Sequence, residues 1–330
     1  MRKLLSLCLA FAFLLPGCSP KPQQYSLTWM DLFDTVTTMT GMAQSEEEFR
    51  EQTEGLYKQL QRYHRLFDIY NSYEGINNLH TVNAQAGVAP VQVDGAIIAL
   101  LKDCRSYYEL TDGRVNVAMG SVLRLWHEAR QNGRLPDRMA LEEAAKHTDF
   151  DTIVLDEEAS TVFITDPQQS LDVGAIAKGW ACQEVADKAP DGMLISVGGN
   201  VCATGAKDTQ GTPWRIAVQD PADASVYLHI LSVTGGAVVT SGDYQRTVTI
   251  DGVAYHHIID PDNLMPAAFW RSVTVVCEDS ALADALSTAL FLLPLEAGRT
   301  LAEACGADAL WVDDRGAQHM TDGFPALVAQ

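Results

Sequence analysis

The chain has 330 residues, 47% of them hydrophobic, and carries 43 Asp and Glu against 23 Lys and Arg, a formal net charge of -20 at pH 7. That apolar content excludes a disordered chain and is enough for a large core in one domain or two closely packed halves. The acidity disfavours nucleic acid or an anionic lipid surface as a partner, so an anionic substrate would need local compensation by a metal ion or by cations such as Lys178 and Arg246.

At the N-terminus, Arg2 and Lys3 precede an apolar run from Leu4 to Leu15 that is too short to span a bilayer comfortably. Leu15-Pro16-Gly17-Cys18 closes it in the manner of a bacterial lipobox. The expected organisation is a lipoprotein signal over residues 1–18, with Cys18 carrying lipid, a polar tether over 19–30, and one domain over 31–330. An ordinary secretory signal, or a poor membrane anchor with an incidental cysteine, is the plainer alternative. Beyond Cys18, the cysteines at 104, 182, 202, 277 and 305 form no CxxC pair, which suggests a non-oxidising setting rather than a disulfide scaffold, with a single bridge left open.

Phe33 to Ala43, rich in Thr and Val, is expected as a strand. Ser45-Glu46-Glu47-Glu48 is a capping box, and the helix it opens places Phe49, Leu56, Leu60, Tyr63 and Phe67 on one apolar stripe. A loop runs through Asn71 to Gly75. A second amphipathic helix is expected over Val93 to Leu110, starting near Asp94 and stopped by Thr111-Asp112-Gly113. Gly133 to Pro136 is either a weak internal boundary or a surface loop. After residue 150 short strands alternate with turns: Thr152 to Leu155, Thr161 to Thr165, Leu194 to Val197, Trp214 to Val218, Tyr227 to Leu231, Ala237 to Thr240, Thr247 to Ile250 and Ser272 to Cys277. Two helices interrupt them, from about Ala175 to Lys188 and from about Ser280 to Leu293, where Pro294 ends the second. The fold class is therefore α+β, an antiparallel-strand-rich core with packed helices. The chain has no P-loop and no GxGxxG following a strand, which disfavours a Rossmann site.

Three segments carry chemistry. On the helix after Ser280, Asp284, Ser287 and Thr288 share one edge and offer only oxygen, the ligand type that suits Mg²⁺; the same residues also suit an ordinary, closely packed helix start. Leu171 to Gly179 reads as a strand end, a glycine and small residues opening a helix. Such a turn leaves backbone exposed to a ligand, with Lys178 placed for an anion and Asp172 for hydrogen-bond donors; packing alone would also explain its glycines. Ser196-Val197-Gly198-Gly199-Asn200 reads first as a structural turn. Of His256 and His257, adjacent in an extended segment, only one can face a site, where neutral imidazole would take a proton; a packed or solvated pair is the plain alternative.

With Thr240-Ser241-Gly242-Asp243-Tyr244, His256 to Pro261 and Ala283 to Thr288, these motifs resemble the ApbE family of FAD:protein FMN transferases over nearly the whole mature chain. The resemblance implies a single ApbE-like domain that binds FAD and Mg²⁺, splits the pyrophosphate, and joins FMN to a Thr or Ser hydroxyl of an exported protein, releasing AMP. It implies Asp284 and Thr288, with Ser287 and the Ala175 carbonyl, as Mg²⁺ ligands. Asp172, Lys178 and Ile259 are implied as nucleotide contacts, Met39 as a strand contact in an altered Thr37-Thr38-Met39-Thr40-Gly41, and Tyr70 as a ring beside the isoalloxazine. Val115 and Asn116 are implied to touch FAD, and His257 to act as the base. The implied acceptors are FMN-binding domains of RNF or NQR type electron-transfer complexes, or flavin-dependent reductases, met at the membrane through the lipid anchor. Two alternatives are an Mg²⁺-dependent FAD pyrophosphatase, against which Tyr70 argues, and a non-catalytic flavin-binding lipoprotein.

Overall fold

The computed structural model describes residues 21–244 and 246–329; Cys18 and the expected signal lie outside them. Strand β1 (Gln23–Leu32) pairs with β2 (Thr35–Ala43) across a two-residue turn in which Phe33 and Asp34 both take positive φ, 52° and 51°. Such a turn matches the twist of a hairpin. The tether expected over 19–30 is thereby corrected, because from Gln23 onward it is sheet. Tyr25 and Trp29 alternate with polar residues and stack on Phe49 and Tyr57 of helix α1 (Glu46–Phe67), with ring centroids 6.3 and 4.8 Å apart. The expected capping box opens α1, where Ser45 Oγ accepts from the Glu48 N–H at 3.2 Å.

The remaining elements follow in chain order. Helix α2 (Leu79–Ala84), strand β3 (Val91–Gln92), helices α3 (Gly95–Leu110), α4 (Gly120–Asn132) and α5 (Arg138–Ala144), and strands β4 (Ile153–Asp156) and β5 (Thr161–Ile164) build the first half. Helix α6 (Ala177–Ala186) then leads into strands β6 (Leu194–Val197), β7 (Asn200–Ala203), β8 (Trp214–Gln219), β9 (Tyr227–Val233), β10 (Gly236–Gly242), β11 (Val248–Ile250), β12 (Val253–Tyr255) and β13 (Ser272–Cys277). Helices α7 (Ser280–Phe291) and α8 (Leu295–Ala304) precede β14 (Asp308–Val312) and β15 (Gln318–Met320). Pro294, expected only to stop a helix, also serves as the N-cap of α8. Gly133, at φ 63°, caps α4 in a surface connection to α5.

Eight strands form one sheet in the order β1-β2-β6-β7-β10-β13-β14-β15, antiparallel at every pairing, and the chain is α+β as expected. Both faces are covered, which strand alternation makes possible. Ala237 and Val239 of β10, with Ala309 and Trp311 of β14, pack under α7 and α8, whereas Val238, Leu310 and Val312 meet the β8–β9 ribbon and Phe324 on the other side. Among the described residues no helix is long and apolar enough to cross a membrane.

Candidate functional site

A cavity of about 320 Å³ draws its lining from segments far apart in sequence: the β1–β2 turn, the chain after α1, residues 114–116, α4, the entry to α6, the β10 end, residues 257–259 and α7. Helix α7 is fixed at its start by Asp279, whose carboxylate accepts from the Leu282 N–H at 2.7 Å. Asp284, in the second turn, is buried against α6, and Gly179 makes that approach possible. A Cβ on Gly179 would lie 2.4 Å from Asp284 Cβ and 2.4 Å from the Ser280 carbonyl oxygen. Asp284 Oδ2 accepts from the Gly179 N–H at 2.8 Å and from Asn200 Nδ2 at 3.2 Å, with Lys178 Nζ at 3.8 Å. All three partners reach the same oxygen, so Oδ1 is the carboxylate oxygen available to the cavity. Burial pushes the Asp284 carboxyl above its ordinary range, opposed chiefly by Lys178.

Thr288 also lines the cavity, and Ser287 does not. Helical geometry explains the difference: a residue four on lies about 40° around from Asp284, whereas a residue three on lies about 60° to the other side. Ser287 is fully buried, its hydroxyl 2.8 Å from Ser241 Oγ and 2.9 Å from the Asp284 carbonyl. The expected Ser287 ligand is thus corrected to a side chain that ties α7 to β10. Ala175 sits in the turn before α6 and lines the cavity. One carboxylate, one hydroxyl and main-chain carbonyls fit a hard cation that keeps part of its water shell. Among the described residues no three His, Cys, Asp or Glu side chains group as a metal cage.

Beside that edge, the turn into α6 is held by its own residues. Asp172 Oδ1 accepts from the Gly174 N–H at 2.8 Å, and Lys178 Nζ donates to the Gly174 carbonyl at 3.2 Å. The Asp172 N–H reaches the Val117 carbonyl at 2.8 Å, drawing residues 115–117 alongside. Val115 and Asn116 line the cavity, but the Asn116 side chain is bonded to Thr148 O and to the Ala118 N–H, so it fixes its segment. The adjacent histidines part company. His256 is buried, its Nε2 at 2.8 Å from the Ala267 carbonyl and its Nδ1 accepting from the Ile258 N–H at 3.2 Å; burial holds it below its ordinary pKa and neutral. His257 and Ile259 line the cavity.

Tyr70 stands at the rim, 55% exposed, stacked on His127 of α4 with ring centroids 5.0 Å apart. Met39 is a further correction. It has 0% exposure and sits in the core under β2, so its side chain faces no ligand. The altered motif already set this position apart from the family pattern, whereas strand alternation alone does not say which face is covered. Asn200, read in the sequence only as the end of a structural turn, shares the Asp284 carboxylate, and Arg130 on α4 and the Phe33–Asp34 turn line the cavity without having been read as site residues. The Gly198-Gly199 pair forms the expected turn, at φ 60° and 90°, and so delivers Asn200.

The ApbE family signature matches residues 33–311, most of the chain and every segment that lines the cavity. The chain belongs to the ApbE family. Membership makes it an enzyme, and its relatives agree. It is 37% identical over 253 residues, 71% of this chain and 70% of the relative, to a FAD:protein FMN transferase of Treponema pallidum. It is 27% identical over 98% of both chains to one of Vibrio cholerae. In three dimensions this ApbE chain is similar to the ApbE protein of Thermotoga maritima, with a TM-score of 0.84 at 30% identity over 93% of this chain and 100% of that one. The flavin transferase ApbE of Vibrio cholerae matches with a TM-score of 0.78 at 25% identity over 93% and 99%.

Proposed function

We propose that this ApbE enzyme transfers FMN from FAD to a Thr or Ser hydroxyl of an exported protein and releases AMP, in an Mg²⁺-dependent reaction. The observation that carries the reading is the meeting of Asp284, Lys178 and His257 at one cavity. The acceptor oxygen attacks the phosphorus on the flavin side, forming a phosphoester, while the bond from that phosphorus to the bridging oxygen breaks and AMP leaves with it. The hydroxyl proton passes to His257. Mg²⁺, when held by Asp284, Thr288 and the Ala175 carbonyl, would neutralise pyrophosphate charge. Lys178 adds a fixed positive charge there, and the turn from Asp172 to Gly179 presents backbone to the nucleotide.

The lipobox supports an anchored, extracytoplasmic enzyme with lipid on Cys18, acting on FMN-binding domains of RNF or NQR type complexes or on flavin-dependent reductases. The deciding experiment incubates enzyme, FAD and Mg²⁺ with such a domain and weighs the domain. A mass gain of one FMN less water is expected. Free FMN and AMP with an unmodified domain would mean a pyrophosphatase, and intact FAD would mean a binding protein.

A further inference from the structure

Four cations, Arg114, Arg130, Lys178 and Arg246, line the cavity together with Asp34, Asp68, Asp172 and Asp284, and the cations are not equivalent. Arg114 is matched by Asp262 at 2.5 Å and Asp260 at 3.6 Å, and Lys178 faces Asp284. Arg130 and Arg246 make no hydrogen bond or ion pair with any described residue, although each guanidinium is close enough to the other and to Tyr70 for their charges to interact. Arg130, on the last turn of α4, is half-buried, and Arg246 is exposed on a turn where it takes φ +48°. Desolvation and the neighbouring Arg246 both disfavour the Arg130 charge, with Tyr70 and Asp172 offsetting them. Two like charges at one cavity, neither held in an ion pair at contact distance with a described residue, in a chain with 20 more acidic than basic charges, are placed to receive an anion.

We propose that Arg130 and Arg246 form a docking site at the cavity rim for carboxylate side chains of the acceptor protein, beside the hydroxyl to be modified. The inference rests on the transferase reading. The end of the cavity proposed to take the pyrophosphate already has Lys178 and the turn into α6, whereas this pair lies with the half-exposed Tyr70, on the side a macromolecule would reach from solvent. Elsewhere the surface repels an acidic partner. A cationic rim therefore both attracts the acceptor segment and fixes its register, and guanidinium suits carboxylate through paired N–H donors.

The test uses an RNF or NQR type FMN-binding domain that the wild-type enzyme flavinylates, in its natural form and with the carboxylates flanking the acceptor hydroxyl changed to Asn or Gln. Arg130→Gln with Arg246→Gln is expected to raise KM for the natural domain about ten-fold, to keep kcat at saturating domain within about two-fold, and to flatten the dependence on salt. Against the neutralised domain, wild type and double variant should differ little in KM. Two outcomes overturn the proposal: an acceptor KM unchanged by the double substitution, or a rise in KM for FAD in its place, which would give the arginines to the nucleotide. A wild-type enzyme that flavinylates no acceptor domain overturns the transferase reading and this docking site with it. Circular dichroism and Tm on both proteins separate these outcomes from misfolding, and Arg130→Lys with Arg246→Lys should recover part of the acceptor affinity.

Discussion

Asp284 shows how one residue carries opposed demands. The fold buries a carboxylate whose charged form it disfavours, and the direction of its shift means that ionisation costs stability as pH rises through the raised pKa. Asp284→Asn keeps the shape and an acceptor for the Gly179 N–H while removing that charge. Flavin transfer should fall at least a hundred-fold with no loss of Tm in the ligand-free protein, a contrast that paired activity and melting measurements would check. The two histidines separate in another way. His257→Ala should keep FAD affinity, read by flavin titration, and lower transfer by about two to four orders of magnitude, the usual worth of a general base. His256→Ala should instead cost about 2–4 kcal/mol of stability by orphaning the Ala267 carbonyl and the Ile258 N–H. The pKa of His256 is depressed in the fold, so its contribution is present above the unfolded value near 6.5 and is lost as pH falls below it; wild-type Tm should drop there more than that of His256→Ala. At this scale the structure brings Asp284, Thr288 and His257, which the sequence singled out by chemistry and spacing, to the lining of one cavity. The sequence misled for Ser287 and Met39, where helical rotation or strand face decides and composition is silent.

Between elements, the α6–α7 contact does most to place the site, because it sets the distance between the Lys178 turn and the Asp284 edge. Gly179→Ala tests this. The added methyl would sit 2.4 Å from Asp284 Cβ and from the Ser280 carbonyl, both on α7, so the helices must part. A loss of about 1–3 kcal/mol is expected from overpacking. Activity should fall with reduced sensitivity to Mg²⁺, because Asp284 moves with α7. Denaturant melts and Mg²⁺ titration of turnover would show it, and a variant with normal Tm and metal dependence would remove the contact from the account. The helices with strong local signals, α1 with its capping box and α3 with Asp94 at its N-cap, were legible. Helices α2, α4, α5 and α8 were not. Helices α2, α5 and α8 are short, and α8 follows a proline that reads as an end; α4 has an apolar stripe, Val122, Trp126 and Ala129, but starts at Met119 with no side-chain cap to mark it.

At the scale of the whole molecule, the sheet begins where a tether was expected, and this would shorten the reach of a lipid-anchored enzyme. β1 starts at Gln23 and stays paired with β2, with Trp29 stacked on Tyr57, so a lipid on Cys18 would leave four residues between anchor and sheet. At about 3.3–3.6 Å per extended residue that is a leash of under about 20 Å, too short for the domain to swing freely over the membrane. Three forms of the protein decide whether the leash matters: wild type, Cys18→Ser, and a chain with twelve Gly and Ser residues inserted before Lys21. Cys18→Ser should move to the soluble fraction while modifying a soluble acceptor at the wild-type rate, since the described residues that line the cavity run from Phe33 to Leu292. On vesicles carrying an anchored acceptor domain, wild type should outpace Cys18→Ser, because shared anchoring raises the effective concentration of the two partners. The lengthened chain should then show a changed rate on anchored acceptor alone, with soluble acceptor unaffected. Equal rates for all three forms on anchored acceptor would mean that the anchor plays no part in presenting the site, and a Cys18→Ser protein that stays with the membrane would mean that the apolar run from Leu4 to Leu15, not lipid, holds the enzyme there.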